Sequence, residues 1–361
     1  MVRVGITHGD INGIGYEVIM KALSDERMME LCTPVIFGSS KLVSYYKNMI
    51  GAEGFNFTII SSIEEIEDGD CNFYNITEEE LKVDMGQPTE ASAKAAYLSL
   101  QKAVDALKNG FIDVLVTAPI NKNAMQSVGF EFSVQTEYLE SEYGNGYKAM
   151  MLLFNDDLRV ALVTTHLPLK DIASNITKEA VAETIKNLYH TLRKDFTIEN
   201  PKIAVLSLNP HSGDNGLLGK EEEEIIAPAI QESFDKKIMA FGPFAADGFF
   251  GNRTYEKFDG VVAMYHDQGL APFKALAMET GVNFTAGLPF IRTSPDHGVG
   301  YDIVGKNIAD PTSMREAIYK AIMLFKNRKS YIKSKANPLK KQYVDKSGDK
   351  EVLDLTKDEE I

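Results

Sequence analysis

The chain has 361 residues, 44% of them apolar and 25% charged, which suits an ordinary globular protein of one large α/β unit or two packed lobes. A formal net charge of −14, with no Lys/Arg-rich tract before residue 320, excludes a nucleic-acid backbone as partner. Cys32 and Cys71 are the only thiols, no apolar run is long enough to span a bilayer, and the chain opens on a strand-like segment rather than a basic and apolar leader, so a reducing cytoplasm is expected and a membrane is not.

In chain order, residues 2–6 form the first β-branched run. It leads into Gly9-Asp10-Ile11-Asn12-Gly13-Ile14-Gly15 and a helical segment. This loop is either an anion site at a helix amino end or a tight turn that needs glycine for its geometry, and it lacks the full dinucleotide fingerprint. Further buried strands are expected at 34–37, 57–60, 112–116, 159–164, 202–207 and 260–264. Helices are expected from the N-cap Thr89 to Asn109, with Gly110 ending it, and at 178–193 and 220–236. The acidic run 221–224 reads as a solvated first helical turn. Residues 297–311 are too long and particular for a generic turn and suggest an ordered loop with a ligand. From about Lys326 the chain turns polar and reads as a solvated appendage. Strands alternating with helices predict an α/β fold whose sheet is largely parallel and whose ligands gather at the strands' carboxyl ends.

Three of the six histidines occupy equivalent places. His166 ends the run Val160-Ala161-Leu162-Val163-Thr164-Thr165, His211 follows Leu206-Ser207-Leu208-Asn209-Pro210, and His266 follows Val261-Val262-Ala263-Met264-Tyr265. Any one alone reads more readily as a hydrogen-bonded loop residue. Three neutral imidazoles at strand ends would leave a divalent ion with open positions for substrate oxygen, as catalytic sites do. Asp247 and Asp267 can orient a ligand or accept a proton, and equally can cap a helix. Lys274, Asn283 and Arg292 form a set able to grip a phosphate, although each cation alone would be ordinary on a surface.

Several segments together resemble the 4-hydroxythreonine-4-phosphate dehydrogenase family of pyridoxal phosphate biosynthesis. They are Val116-Thr117-Ala118-Pro119-Ile120-Asn121-Lys122, Thr164-Thr165-His166-Leu167-Pro168-Leu169, Asn209-Pro210-His211-Ser212-Gly213, Ala263-Met264-Tyr265-His266-Asp267-Gln268-Gly269-Leu270, Pro272-Phe273-Lys274 and Thr293-Ser294-Pro295-Asp296-His297-Gly298, in one order over roughly residues 1–330. The resemblance implies a two-lobed α/β/α fold like that of isocitrate and isopropylmalate dehydrogenases, not a Rossmann fold. Residues 1–330 would be one catalytic unit, with lobes of about 1–125 plus 290–330 and 126–289, and 331–361 a charged tail.

By the same resemblance His166, His211 and His266 are ligands of one divalent metal (Zn, Mg, Co or Mn), shared between the subunits of a homodimer. Gln135, Thr136, Lys274, Asn283 and Arg292 would contact the small phosphorylated substrate, and Asp247, Asp267 and Lys274 would serve catalysis. His297, Gly298, Asp302 and Asp310 would hold the nucleotide, with Asp302 favouring NAD over NADP. The implied reaction oxidises 4-hydroxythreonine 4-phosphate and decarboxylates it to 3-amino-2-oxopropyl phosphate. Val134-Gln135-Thr136-Glu137 departs from the family pattern, which has histidine at 135, and Ile11 and Ala245 replace usual prolines. Gln135 can donate a hydrogen bond but carries no charge. The substrate thereby opens to an alternative, a four-carbon sugar-acid phosphate such as threonate or erythronate 4-phosphate. A non-catalytic metal- or phosphometabolite-binding protein is the reading from another class.

Overall fold

The computed structural model describes residues 1–337 except 53, 133, 134, 144 and 145, so Val134 and the tail 338–361 lie outside the described residues. The strands are β1 (Val2–Thr7), β2 (Cys32–Gly38), β3 (Thr58–Ile60), β4 (Asn72–Asn75), β5 (Val114–Thr117), β6 (Met150–Phe154), β7 (Arg159–Leu162), β8 (Lys202–Leu206), β9 (Met239–Phe244), β10 (Gly260–Ala263), β11 (Val282–Ala286) and β12 (Ile291–Pro295). They form one 12-stranded sheet in the order β3-β4-β2-β1-β5-β12-β11-β6-β7-β10-β8-β9. Strands β3 to β12 on one side and β7 to β9 on the other are parallel within each group. Between them β11 runs antiparallel to β12 and β6, and β6 antiparallel to β7. All seven expected strands are present; β4, β6, β9, β11 and β12 were not foreseen.

Helices cover both faces of the sheet because the central strands are apolar on both sides. Val4 and Ile6 of β1, Val114 and Val116 of β5, Ala161 of β7, Ile203 and Val205 of β8 and Val262 of β10 join one core that spans the sheet. Their alternates pack on the other face in two separate cores, Val35, Phe37 and Leu115 in one and Val160, Leu162, Ala204, Leu206, Val261 and Ala263 in the other. This is the expected three-layer α/β/α arrangement, and its antiparallel centre sets it apart from an all-parallel dinucleotide fold.

Local signals behave as the sequence suggests at the long helices. Thr89 accepts from Ser92 N at 3.1 Å to start the helix Glu90–Lys108, and Gly110 follows its end at φ 74°. Thr177 likewise accepts from Ala180 N ahead of Lys178–Lys194. Two expectations are corrected. Residues 220–236 are not one regular helix: a π-helical turn, Glu222–Ile226, precedes Ala227–Asp235, and Glu222 is buried rather than solvated. Nor is the chain a solvated appendage from Lys326, because the helix Thr312–Lys335 continues through it. Buried Arg328 donates from Nε and Nη2 to Asp195 at 2.7 and 3.0 Å and from Nη1 to Leu288 O at 3.0 Å. Among the described residues no helix is long and apolar enough to cross a membrane.

Candidate active site

A cavity of about 440 Å³ opens at the carboxyl ends of β5 and β12, where the antiparallel centre meets the first parallel group. Its lining includes Thr117, Lys122, Gln135, Thr136, His166, Asn283, Arg292, Ser294, His297 and Gly298. The position agrees with the rule that ligands collect beyond strand carboxyl ends.

Arg292 lies on β12 and is only 6% exposed. Its Nε and Nη2 donate to Thr117 Oγ1 at 3.1 and 2.6 Å, Nη1 to Thr285 Oγ1 at 3.0 Å, and Nη2 also to Gln135 Oε1 at 2.7 Å. These acceptors are all neutral. Burial pushes the guanidinium down to about 10, which leaves it charged at neutral pH, and among the described residues no carboxylate is paired with it. A buried cation without a counter-ion is costly unless an anion joins it. Thr136 Oγ1 stands 3.5 Å from Thr285 Oγ1, and Asn283 Oδ1 is buried without a partner. Lys122, the first residue of the helix Lys122–Ser127, adds a second positive charge to the wall.

The histidines divide. The rings of His166 and His266 lie 5.7 Å apart between centroids. Partial burial, and then the charges of Lys122 and His266, hold His166 below its ordinary range and favour the neutral imidazole. His266 opens the helix His266–Ala277, and its Nδ1 is 2.7 Å from Asp267 Oδ1, a contact that directs Nδ1 to the carboxylate and turns Nε2 away from it. His211 does not join them in one chain: among the described residues no group of three His, Cys, Asp or Glu side chains is placed to hold a metal. It sits in the turn after β8, exposed and at φ 52°.

The other expected site residues are spread around this pair. Exposed Asp247, in the first turn of Ala246–Gly251, lines a second cavity of about 480 Å³ with Asn209, Tyr265 and Gln268. Lys274 Nζ is 3.1 Å from Asp296 Oδ1, beside the cavity rather than in its wall. Burial raises the Asp296 carboxyl against the pull of Lys274, and its Oδ2 has no partner. His297 donates from Nδ1 to Gly298 O at 2.8 Å and leaves a buried Nε2 unpartnered, with burial lowering its basicity.

Beyond His297, the loop to Pro311 is pinned by protein contacts. Val299 O accepts from Ile14 N at 3.0 Å, Tyr301 donates to Asp10 at 2.6 Å, and Lys21 donates to Asn307 O and Ala309 O at 3.2 and 3.0 Å. Asp302 is exposed, whereas Asp310 accepts from Thr312 N at 2.8 Å at the start of the last helix. The Gly9–Gly15 segment is a structural turn. Its residues 9–15 are buried, and the amides of Asn12, Gly13 and Ile14 are already taken by Asp10 Oδ1, Asp10 O and Val299 O. Sequence reasoning gave no role to Thr117, Lys122, Thr285 and Asp296. The segments Thr117-Ala118-Pro119-Ile120-Asn121-Lys122 and Ser294-Pro295-Asp296 were the available signal.

Known proteins resemble this chain in sequence and in fold. The profile of the family described as pyridoxal phosphate biosynthetic protein PdxA matches residues 30–321. A 4-hydroxythreonine-4-phosphate dehydrogenase of Bacteroides thetaiotaomicron is 52% identical over 354 residues, 98% of this chain and 97% of that protein. A relative from Oceanobacillus iheyensis, provisionally named a D-threonate 4-phosphate dehydrogenase, is 40% identical over 327 residues, 89% of this chain and 97% of its own. Among solved structures, the 4-hydroxythreonine-4-phosphate dehydrogenase of Klebsiella pneumoniae superposes with a TM-score of 0.76 at 30% identity, covering 90% of this chain and 100% of that one. The profile spans most of the sequence and a relative matches it nearly end to end, so the chain belongs to the PdxA family of pyridoxal phosphate biosynthetic proteins.

Proposed function

We propose that the protein is a 4-hydroxythreonine-4-phosphate dehydrogenase, dependent on NAD and a divalent metal, that oxidises its substrate and releases carbon dioxide to leave 3-amino-2-oxopropyl phosphate. The observation that carries this reading is Arg292, a buried guanidinium with only neutral partners, in the same cavity wall as His166.

The substrate's phosphate supplies the missing counter-charge. Arg292 and Lys122 attract it, while Thr136 and the amide of Gln135 orient it. The donor set fits a metal in part: burial favours the neutral form of His166, and its ring lies close to that of His266, which Asp267 orients. His211 of a second copy would complete the set in a homodimer. When bound, the ion supplies Lewis-acid stabilisation of charge developing on substrate oxygen, and NAD supplies the two-electron acceptor. Asn283, with its free buried oxygen, accepts a hydrogen bond from the substrate. Lys274, steadied by Asp296, holds and moves the proton at its Nζ, with Asp267 beside His266 and Asp247 in the wall of the second cavity as further carboxylates for proton transfer. The nucleotide lies along His297 and Gly298, with Asp302 free to meet the ribose hydroxyls.

A second reading has its own support, because Gln135 spends its carbonyl on Arg292 and the Oceanobacillus relative carries a sugar-acid phosphate name. It is oxidation of threonate or erythronate 4-phosphate. The test is NADH formation with each phosphorylated substrate, before and after chelation and with Zn, Co, Mn or Mg restored. Highest kcat/KM on 4-hydroxythreonine 4-phosphate, lost with the metal, is the expected result. A higher value on the sugar acids selects the second reading, and no NADH with any substrate overturns both. His166→Ala is expected to abolish turnover and leave the fold intact.

A further inference from the structure

We infer that Glu222 is a positioning residue that holds the His211 turn in its left-handed form and thereby makes that imidazole available as a ligand, an inference that rests on the reading of His211 as a metal ligand. The six residues from His211 to Gly216 have φ values of 52°, 51°, 82°, 45°, 54° and 84°. Only two are glycines. Non-glycine residues persist in this region when their surroundings over-determine them, and such runs concentrate at functional sites.

The surroundings that do so centre on one carboxylate. Glu222 is 3% exposed, and its Oε1 accepts from Leu208 N at 2.8 Å and Asn209 N at 2.7 Å. Its Oε2 accepts from Asn209 Nδ2 at 3.0 Å, and the same nitrogen donates to Glu221 Oε2 at 2.7 Å. Asn209 is two residues from His211. On the far side of the turn, a Cβ on Gly213 would come within 2.7 Å of Glu222 Oε2, so the carboxylate is packed against both limbs. Its charge is met by three N–H donors rather than by a cation, an arrangement that fixes direction as well as charge. The π-helical turn beginning at Glu222 lets the side chain reach inward, and such single turns recur beside functional groups.

The test titrates full-length, metal-free protein with Co²⁺ alone, following affinity by calorimetry and ligand geometry by visible absorption. Glu222→Gln keeps one acceptor and turns an NH₂ toward Asn209 Nδ2. It is expected to weaken Co²⁺ binding about tenfold or more and to change the absorption band, in the range seen when groups behind a ligand are removed. Glu222→Asp, which falls short by one methylene, serves where the glutamine variant folds poorly and is expected to show the same loss. The exposed neighbour variant Glu223→Gln is expected to bind as wild type. If His211→Ala weakens Co²⁺ binding while Glu222→Gln and Glu222→Asp bind with wild-type affinity and spectrum, the inference is overturned. If His211→Ala itself binds as wild type, the ligand reading fails, and amide exchange decides the rest: faster exchange at Leu208 and Asn209 in Glu222→Gln supports the positioning role, and unchanged exchange overturns it.

Discussion

Arg292 separates what binds from what folds. Its charge is buried against Thr117, Thr285 and Gln135, all neutral, so removing it would relieve the protein of an ion unpaired among the described residues and, under the proposed function, take away the substrate phosphate's main contact. Arg292→Met should therefore leave the thermal midpoint unchanged or raise it, while KM for the phosphorylated substrate rises about 10–100-fold, as expected for one lost charge-assisted contact of roughly 1.5–3 kcal/mol. A fall of several degrees in the midpoint with an unchanged KM would show that the guanidinium is structural. Arg292, Asn283 and His166 could be singled out from stretches whose residue types point to an anion or a metal, and Thr136 and Gln135 only through the family resemblance. The two threonine acceptors of Arg292 could not be, since Thr117 and Thr285 lie about 170 residues apart in sequence and meet only through the pairing of β12 with β5 and β11.

Among elements, the buried amino-terminal turn carries two expectations. His8 is fully buried, donates from Nδ1 to Gly9 O at 2.7 Å, stacks on Tyr16 and leaves Nε2 unpartnered. Burial lowers it from 6.5 to about 4. Above pH 6.5 both folded and unfolded chains hold it neutral; between 6.5 and about 4 only the unfolded chain takes the proton, so stability falls with falling pH. The slope is about 1.4 kcal/mol per pH unit and the sum roughly 3 kcal/mol. In His8→Asn, which keeps a donor for Gly9 O, denaturant midpoints between pH 6.5 and 4 should flatten by that amount; a profile parallel to wild type would refute it. Gly13 bears on the loop proposed to hold the nucleotide, because a Cβ there would meet Val299 Cγ1 at 2.3 Å and Val299 O at 2.5 Å. Gly13→Ala should cost about 1–3 kcal/mol by overpacking, displace the loop after Gly298, and raise KM for NAD while leaving KM for the phosphorylated substrate near wild type. An unchanged KM for NAD would place the nucleotide elsewhere. The elements that sequence reasoning missed are instructive here. Val282-Asn283-Phe284-Thr285-Ala286 and Ile291-Arg292-Thr293-Ser294-Pro295 are strands whose polar positions serve the cavity, and those same residues dilute the apolar pattern that marks a strand. Glu222 misled for a related reason: a carboxylate in an acidic run reads as solvated until the chain folds two backbone amides against it.

For the whole molecule, the sheet order sets β7, β10 and β8 side by side, and the His166 and His266 rings meet, yet among the described residues His211, in its left-handed turn after β8, does not complete a three-residue group with them within the chain. The proposed metal site shared across a two-fold axis would resolve this, because an isologous dimer repeats any contact made by one copy in the other. The consequence is a complementation pattern. His166→Ala and His211→Ala should each be inactive alone. In a heterodimer of the two, one site combines both lesions and the other receives intact His166 and His266 from one copy and intact His211 from the other. Random assortment of equal amounts makes half of the dimers mixed, each with one good site of two, so refolding or co-expressing the variants should restore about one quarter of wild-type activity. His166→Ala mixed with His266→Ala should restore none, because under this proposal both of those ligands would come from the same copy in every site. Recovery in the second mixture, or none in the first, would mean that the three histidines are divided between the subunits in some other way.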